Sequence, residues 1–158
     1  MIIPVLHNTS SSQRLAEVAR TVYGLGFNYF VVTKAVGAAA QAGVPEAQKV
    51  AYKLGRSFMV LADLAEAIEL LEPRKVLLVM PSKYGGSNLE DVLAQVLKET
   101  GESDKVLLVF GGSEPGLSLR ELKMGENVSP KDVEEDVGTT ALVAITLYKV
   151  KLLLRGQA

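Results

Sequence analysis

Two glycine-bearing loops have the residue types that could grip a ligand: Met80-Pro-Ser-Lys-Tyr-Gly-Gly86 and Phe110-Gly-Gly-Ser-Glu-Pro-Gly-Leu-Ser118. Each leaves a run of consecutive apolar residues. Glycine lets backbone N–H and C=O groups approach a bound molecule with no Cβ in the way. Glycines also simply turn a chain, so the loops alone name no ligand. Neither is a P-loop, because G-x-x-x-x-G-K-[ST] is absent, and neither is a dinucleotide fingerprint, because no G-x-G-x-x-G follows a strand. Glu114 and Asp136 could face a cationic group of a ligand or stand as solvated loop carboxylates. Asn8 could orient a substrate phosphate or cap a turn. His7, at the end of an apolar run, reads as structural.

The bulk composition removes several chemistries. There is no cysteine, hence no disulfide framework, thiolate metal site or thiol nucleophile. One histidine leaves little material for a zinc site or a Ser-His-Asp triad. The formal net charge is −1, so nucleic-acid contact would need a local basic patch. Apolar residues make up 48% of 158, the composition of one well-packed domain spanning residues 1–158. The N-terminus lacks a basic n-region and a small-residue cleavage site. The greasiest stretch, Ala141 to Leu154, is interrupted by lysines and too short to span a bilayer. A cytoplasmic location without membrane contact is the expectation.

Strand-like and helix-like segments alternate to position these residues. Strands are expected at Ile2–Leu6, Tyr29–Thr33, Phe58–Leu61, Lys75–Met80 and Lys105–Phe110. Helices are expected from Ser11 or Ser12 to Tyr23, from Pro45 to Leu54, over Ala62–Leu71, from Asn88 through Lys98, and from about Gly138 to Leu154. Lys34–Gly43 has no clear pattern, and Ser118–Gly125 is polar without strand alternation. Strands separated by helical segments require crossovers, and KVLLVM and KVLLVF are apolar at every interior position. The fold class is therefore α/β, a single mostly parallel sheet with helices on both faces. In such sheets ligands bind outside the carboxyl ends of the strands, where both glycine-bearing loops lie. The final helix is apolar around much of its circumference, which requires burial on more than one side.

The string FGGSEPGLS at Phe110–Ser118 resembles the second motif of the SPOUT-class (SpoU/TrmH-like) RNA methyltransferases. Two further segments follow family order. Ala19-Arg-Thr-Val-Tyr-Gly-Leu-Gly-Phe27 resembles the first motif, and Asp136-Val-Gly-Thr-Thr-Ala-Leu-Val-Ala-Ile-Thr-Leu-Tyr148 resembles the third. The resemblance implies an α/β trefoil knot, S-adenosylmethionine (SAM) bound in a bent shape, and a homodimer with active sites near its interface. The implied reaction is methyl transfer to a ribose 2′-hydroxyl of rRNA or tRNA. The cofactor-binding residues it implies are Met80, Pro81, Phe110, Gly111, Gly112, Glu114, Gly116, Leu117, Val137, Gly138, Thr139 and Thr140. Arg20 takes the place of the first-motif arginine. Because arginine stays protonated, orientation and charge stabilisation suit it better than proton abstraction. A solvated ion pair with Glu17 is its alternative reading. Asn8 is the second candidate catalytic residue, and Arg14, Arg20, Lys34, Lys83 and Arg120 are candidate phosphate contacts.

Three departures mark a divergent member. Glu114 sits one place late in its motif, Gly138-Thr-Thr replaces Asn-Val-Ser, and Leu15 stands where an asparagine is common. A non-catalytic SAM- or RNA-binding relative is thus one alternative. A metal-dependent nuclease is another, using Asp104 with Glu121-Leu-Lys123 to hold Mg²⁺.

Overall fold

The structure, a computed structural model, describes residues 1–113 and 116–156. Seven strands form one all-parallel sheet: β1 (Ile2–Thr9), β2 (Tyr29–Ala35), β3 (Ser57–Leu61), β4 (Lys75–Val79), β5 (Ser87–Asn88), β6 (Val106–Gly111) and β7 (Glu126–Ser129), in the order β3-β2-β1-β6-β4-β7-β5. The helices are α1 (Ser12–Gly24), α2 (Val44–Leu54), α3 (Leu64–Leu71), α4 (Leu89–Glu99), α5 (Leu119–Leu122) and α6 (Thr139–Gly156). The expected α/β class, the parallel sheet and the helices on both faces are all present.

The apolar runs become central strands because two layers cover them. Alternate residues of β1 show the division: Leu6 enters the core under α1, α2, α4 and α6, while Ile3 and Val5 pack toward α3 and the segment around α5. β6 lies between β1 and β4, with Leu6 opposite Phe110 and Leu78 opposite Val109. The carboxyl ends of β1, β6 and β4 therefore stand side by side, and the turns leaving them cannot diverge. The caps follow local chemistry. Ser11 accepts from the Arg14 N–H at 3.1 Å and starts α1; Asn88 accepts from the Asp91 N–H at 3.0 Å and starts α4. Gly55, at φ 65°, ends α2 in the left-handed conformation.

Several boundaries differ from the sequence expectation. α3 begins at Leu64, because Asp63 caps it by accepting the Leu64 N–H at 2.8 Å. The patternless Lys34–Gly43 segment ends in a π-helical turn, Ala39–Gly43, running straight into α2. The polar Ser118–Gly125 segment holds α5, a single turn with a Ser118–Glu121 capping box. Neither β5 nor β7 follows from the sequence pattern, since Ser-Asn and Glu-Asn-Val-Ser are too short and polar to announce strands.

At Gly125, just before β7, a Cβ would press into the Val76 carbonyl and lie 2.8 Å from Val76 Cβ. Gly125→Ala is expected to cost about 1–3 kcal/mol through overpacking. Gly24→Ala, where a Cβ meets nothing within 4 Å, should stay within about 0.5 kcal/mol of wild type. Urea unfolding midpoints of the two variants check this; equal midpoints would refute the close approach.

Candidate ligand cleft at the carboxyl end of the sheet

Three chain segments meet beyond the central strands. Val79 to Tyr84 leave β4, Gly111, Ser113, Gly116 and Leu117 follow β6, and Asp136 to Leu142 open α6; residues of all three segments line one cleft. Val79, Leu117 and Leu142 supply apolar walls, while Gly111, Gly116 and Gly138 present backbone. The β4 turn is sewn to the segment before α6: Ser82 N–H donates to Val133 O at 2.8 Å, and Lys83 N–H to Glu134 O at 3.1 Å. The Thr139 hydroxyl donates to Gly111 O at 3.3 Å and ties the start of α6 to β6. The first N–H groups of α6 have no partner within the helix, so they are available to a carboxylate or phosphate at this end.

The glycines of the β6 turn are required by the fold of the turn itself. A Cβ on Gly111 would lie 2.7 Å from Gly116 Cα and 2.9 Å from the Leu117 nitrogen. A Cβ on Gly112 would lie 2.8 Å from Thr9 Cβ and 2.9 Å from Asn8 O. The end of β1 braces the same turn. Gly112 N–H donates to His7 O at 2.7 Å, the Ser113 hydroxyl to Asn8 O at 2.7 Å, and Arg14 Nη1 to Gly112 O at 2.9 Å. Asn8 turns the chain there at φ 64°, a conformation asparagine tolerates.

Charge closes one rim. The Tyr84 hydroxyl donates to Asp136 Oδ2 at 2.8 Å, and Lys83 Nζ lies 3.0 Å from both Asp136 and Glu135. These bonds from Tyr84 and Lys83 hold the Asp136 carboxyl below its usual range. The space in this cleft is about 50 Å³, against roughly 300–1,000 Å³ for ordinary ligand pockets. A nucleoside-sized molecule requires the cleft to widen, and the Tyr84–Asp136 side is held by an exposed side-chain contact.

Behind the cleft, His7 is buried between Thr33 Oγ1, 2.8 Å from Nδ1, and Glu121, 3.5 Å from Nε2. Burial pushes its pKa down, outweighing the opposing pull of Glu121 and Asp63; Lys34 and Arg120 push the same way as burial. Glu121 also closes the α5 capping box, so it ties the segment after Leu117 to β1.

Of the residues singled out in the sequence, Met80, Pro81, Gly111, Gly116, Leu117, Asp136, Val137, Gly138 and Thr139 line the cleft. Phe110 is buried in the core instead, Gly112 packs on Asn8 and Thr9, and Thr140 donates to Glu17 at 3.4 Å. Glu114 lies outside the described residues. Asn8 stands behind the β6 turn. Arg20 is exposed on α1, one turn past Glu17, and lines no part of the cleft. Val79, Tyr84 and Ser113 line it without having been singled out. Tyr84 sat inside a named loop, and only its pairing with distant Asp136 gives it a place. Three of the five candidate phosphate contacts are engaged: Arg14 with Gly112 O, Lys83 with Asp136 and Glu135, and Arg120 with Asp63 at 3.6 Å.

The nuclease set does not assemble. Asp104 precedes β6 at the amino end of the sheet, where its carbonyl accepts from the Met1 amino group at 2.9 Å. Glu121 is at the opposite end beside His7. Among the described residues no three His, Asp or Glu side chains are grouped to hold a metal ion. Among them, too, no helix is long and apolar enough to cross a membrane.

A family described as "RecB-family nuclease (DUF2122)" matches residues 37–149. The chain belongs to this family. Its curated relatives include "Putative type II restriction enzyme ApeKORF2002P" of Aeropyrum pernix, 45% identical over 98% of this chain and 94% of the relative. A second, "Putative type II restriction enzyme MjaORF1200P" of Methanocaldococcus jannaschii, is 39% identical over 92% of each. Solved structures with the same fold carry other names. A "Probable Methyltransferase" from Bordetella pertussis Tohama I superposes with a TM-score of 0.74 at 15% identity, covering 97% of this chain and 93% of its own. The A. aeolicus TrmH/SpoU tRNA modifying enzyme gives 0.68 at 13%, over 99% and 76%. An AdoMet-bound rRNA methyltransferase from Sinorhizobium meliloti gives 0.70 at 11%, over 97% and 56%. The fold of this family member is thus the SpoU/TrmH methyltransferase fold.

Because the folded chain holds His7 below its unfolded pKa of 6.5, the unfolded chain binds the extra proton first. The stabilisation is complete above pH 6.5 and is lost as pH falls through the lowered value. His7→Gln should flatten this part of the pH–stability curve in thermal melts. An unchanged slope below pH 6.5 would show that His7 is not held neutral.

Proposed function

We propose that this chain is a SAM-dependent RNA methyltransferase acting on a ribose 2′-hydroxyl of tRNA or rRNA, as a homodimer of a knotted fold. The observation that carries the reading is the convergence of the β4 turn, the β6 turn and the start of α6 on one cleft. The methyltransferase fold neighbours and the three motif resemblances support it. The residues fit the cofactor chemically. Val79, Leu117 and Leu142 offer apolar surface for a base, and the backbone at Gly111, Gly116 and Gly138 offers hydrogen-bonding groups. Thr139 and the first turn of α6 face a carboxylate. Exposed Tyr148 and Leu152 on α6 suit coverage by a second copy.

SAM, when bound, supplies an activated methyl group to a nucleophilic oxygen. The chain's part is to hold that group in line with the hydroxyl and to stabilise the charge left as its proton departs. Arg20, permanently cationic, is assigned the second task, and Asn8 the orientation of the substrate phosphate. Arg20 lines no part of its own chain's cleft, so this role calls for the cleft of the second copy in the homodimer; no ion pair holds it among the described residues.

The family description favours a second reading, nucleic-acid cleavage. The separation of Asp104 from Glu121 weighs against it. Calorimetry with SAM, followed by radiolabelled methyl transfer to total tRNA and rRNA, separates the cases. Binding with transfer is expected. Binding without transfer would make the chain a non-catalytic SAM binder, and Mg²⁺-dependent cleavage unaffected by SAM would make it a nuclease. Arg20→Ala should keep SAM affinity while transfer falls about 10²–10³-fold, the usual loss for one charge-stabilising donor. Undiminished transfer would remove Arg20 from the mechanism.

A further inference from the structure

Arg14, Lys83 and Arg120 are engaged by the protein itself, and further cations stand unpaired elsewhere on the surface. The outer face of α2 provides them. Lys49 and Lys53 stand one turn apart, both exposed, and neither has an ion-pair partner among the described residues. Between them Tyr52 is 87% exposed, so its ring contributes little to the core. The one carboxylate on α2, Glu46, lies in its first turn.

The packing places this face beside Arg20. α1 and α2 each leave the carboxyl end of a strand of the same parallel sheet, so they run side by side in the same direction. Gly43, immediately before α2, fits against α1 so closely that a Cβ there would lie 3.0 Å from Leu15 Cδ2 and 3.1 Å from Ser12 Cα. At about 1.5 Å per residue, Lys49 lies about 9 Å beyond that contact. Arg20 lies about 8 Å past Leu15 on the adjacent helix. By this reckoning the two residues stand at about the same height along the paired helices.

We propose that Lys49, Tyr52 and Lys53 form a docking surface for single-stranded RNA, with the lysines on phosphates and the tyrosine ring stacked on a base. The inference deepens the RNA-methyltransferase reading, because a strand held on α2 passes Arg20. A two-fold contact centred on this face would bring its lysines close to one another, which disfavours a second chain as occupant.

Fluorescence anisotropy with a short fluorescein-labelled single-stranded RNA tests it across a salt series, beside SAM calorimetry on the same variants. Lys49→Glu with Lys53→Glu should raise Kd at least about tenfold and reduce the slope of log Kd against log salt by about 1.4, two phosphate contacts' worth. Tyr52→Ala should weaken binding about 5- to 100-fold with the slope unchanged, and Tyr52→Phe should restore it. SAM affinity and melting temperature should not move, since these side chains are exposed and outside the cleft. RNA affinity at the wild-type level in both variants would overturn the surface while leaving methyl transfer intact. So would a wild-type chain that binds no RNA, or variants that change only the oligomeric state in sedimentation. RNA binding that depends on α2 in a chain taking no SAM would sustain the surface and sink the methyl-donor reading.

Discussion

The approach of Gly111 to the Gly116–Leu117 backbone is the contact on which the carboxyl end of this molecule depends. The gap has no room for a Cβ. It folds the β6 turn back on itself, sets Leu117 into the cleft wall, and leaves Gly111 O facing Thr139. Gly112 makes the same demand against β1. Two adjacent glycines thus serve two different neighbours, one within the turn and one on the next strand. The candidate cleft is a consequence of that folding.

Charges in this region mostly fasten protein to protein. Arg14 holds Gly112, Arg120 reaches Asp63, Glu121 caps α5 beside His7, and Lys83 bridges Asp136 and Glu135. The exposed ion pairs among these, Lys83 with Asp136 and Glu135 and Arg120 with Asp63, are worth about 0–1 kcal/mol each, so a ligand can exchange them at small cost. The Tyr84–Asp136 rim is therefore a reasonable place for the cleft to open, whereas the buried His7–Thr33 contact is not. The family's nuclease description and its methyltransferase fold meet here. The fold brings turns and glycines together, and it keeps the acidic residues of a nuclease set at opposite ends of the sheet.

The architecture was readable because burial on two faces leaves a plain mark. KVLLVM and KVLLVF announce central parallel strands, and the strand–helix alternation announces crossovers. β7 was illegible for the opposite reason: Glu126–Ser129 pairs through its backbone, and its side chains carry little apolar signal. Within the cleft, the glycines of the β4 and β6 turns could be found because loops at strand ends are where ligands bind, whereas the Val137–Thr139 segment came from the motif resemblance. Phe110 and Thr140 were drawn in by adjacency to the motifs, yet one faces the core and the other α1. Tyr84 and Asp136 are 52 residues apart, and only the tertiary fold makes them a pair.

The most direct measurement is a crystal structure of the chain soaked with S-adenosylmethionine. Adenosine density between Gly111–Leu117 and Val137–Leu142, with the Tyr84–Asp136 contact broken, is the expected result. Density at the amino end of the strands, or a cleft still sealed at saturating donor, would contradict the assignment of this cleft to a methyl donor.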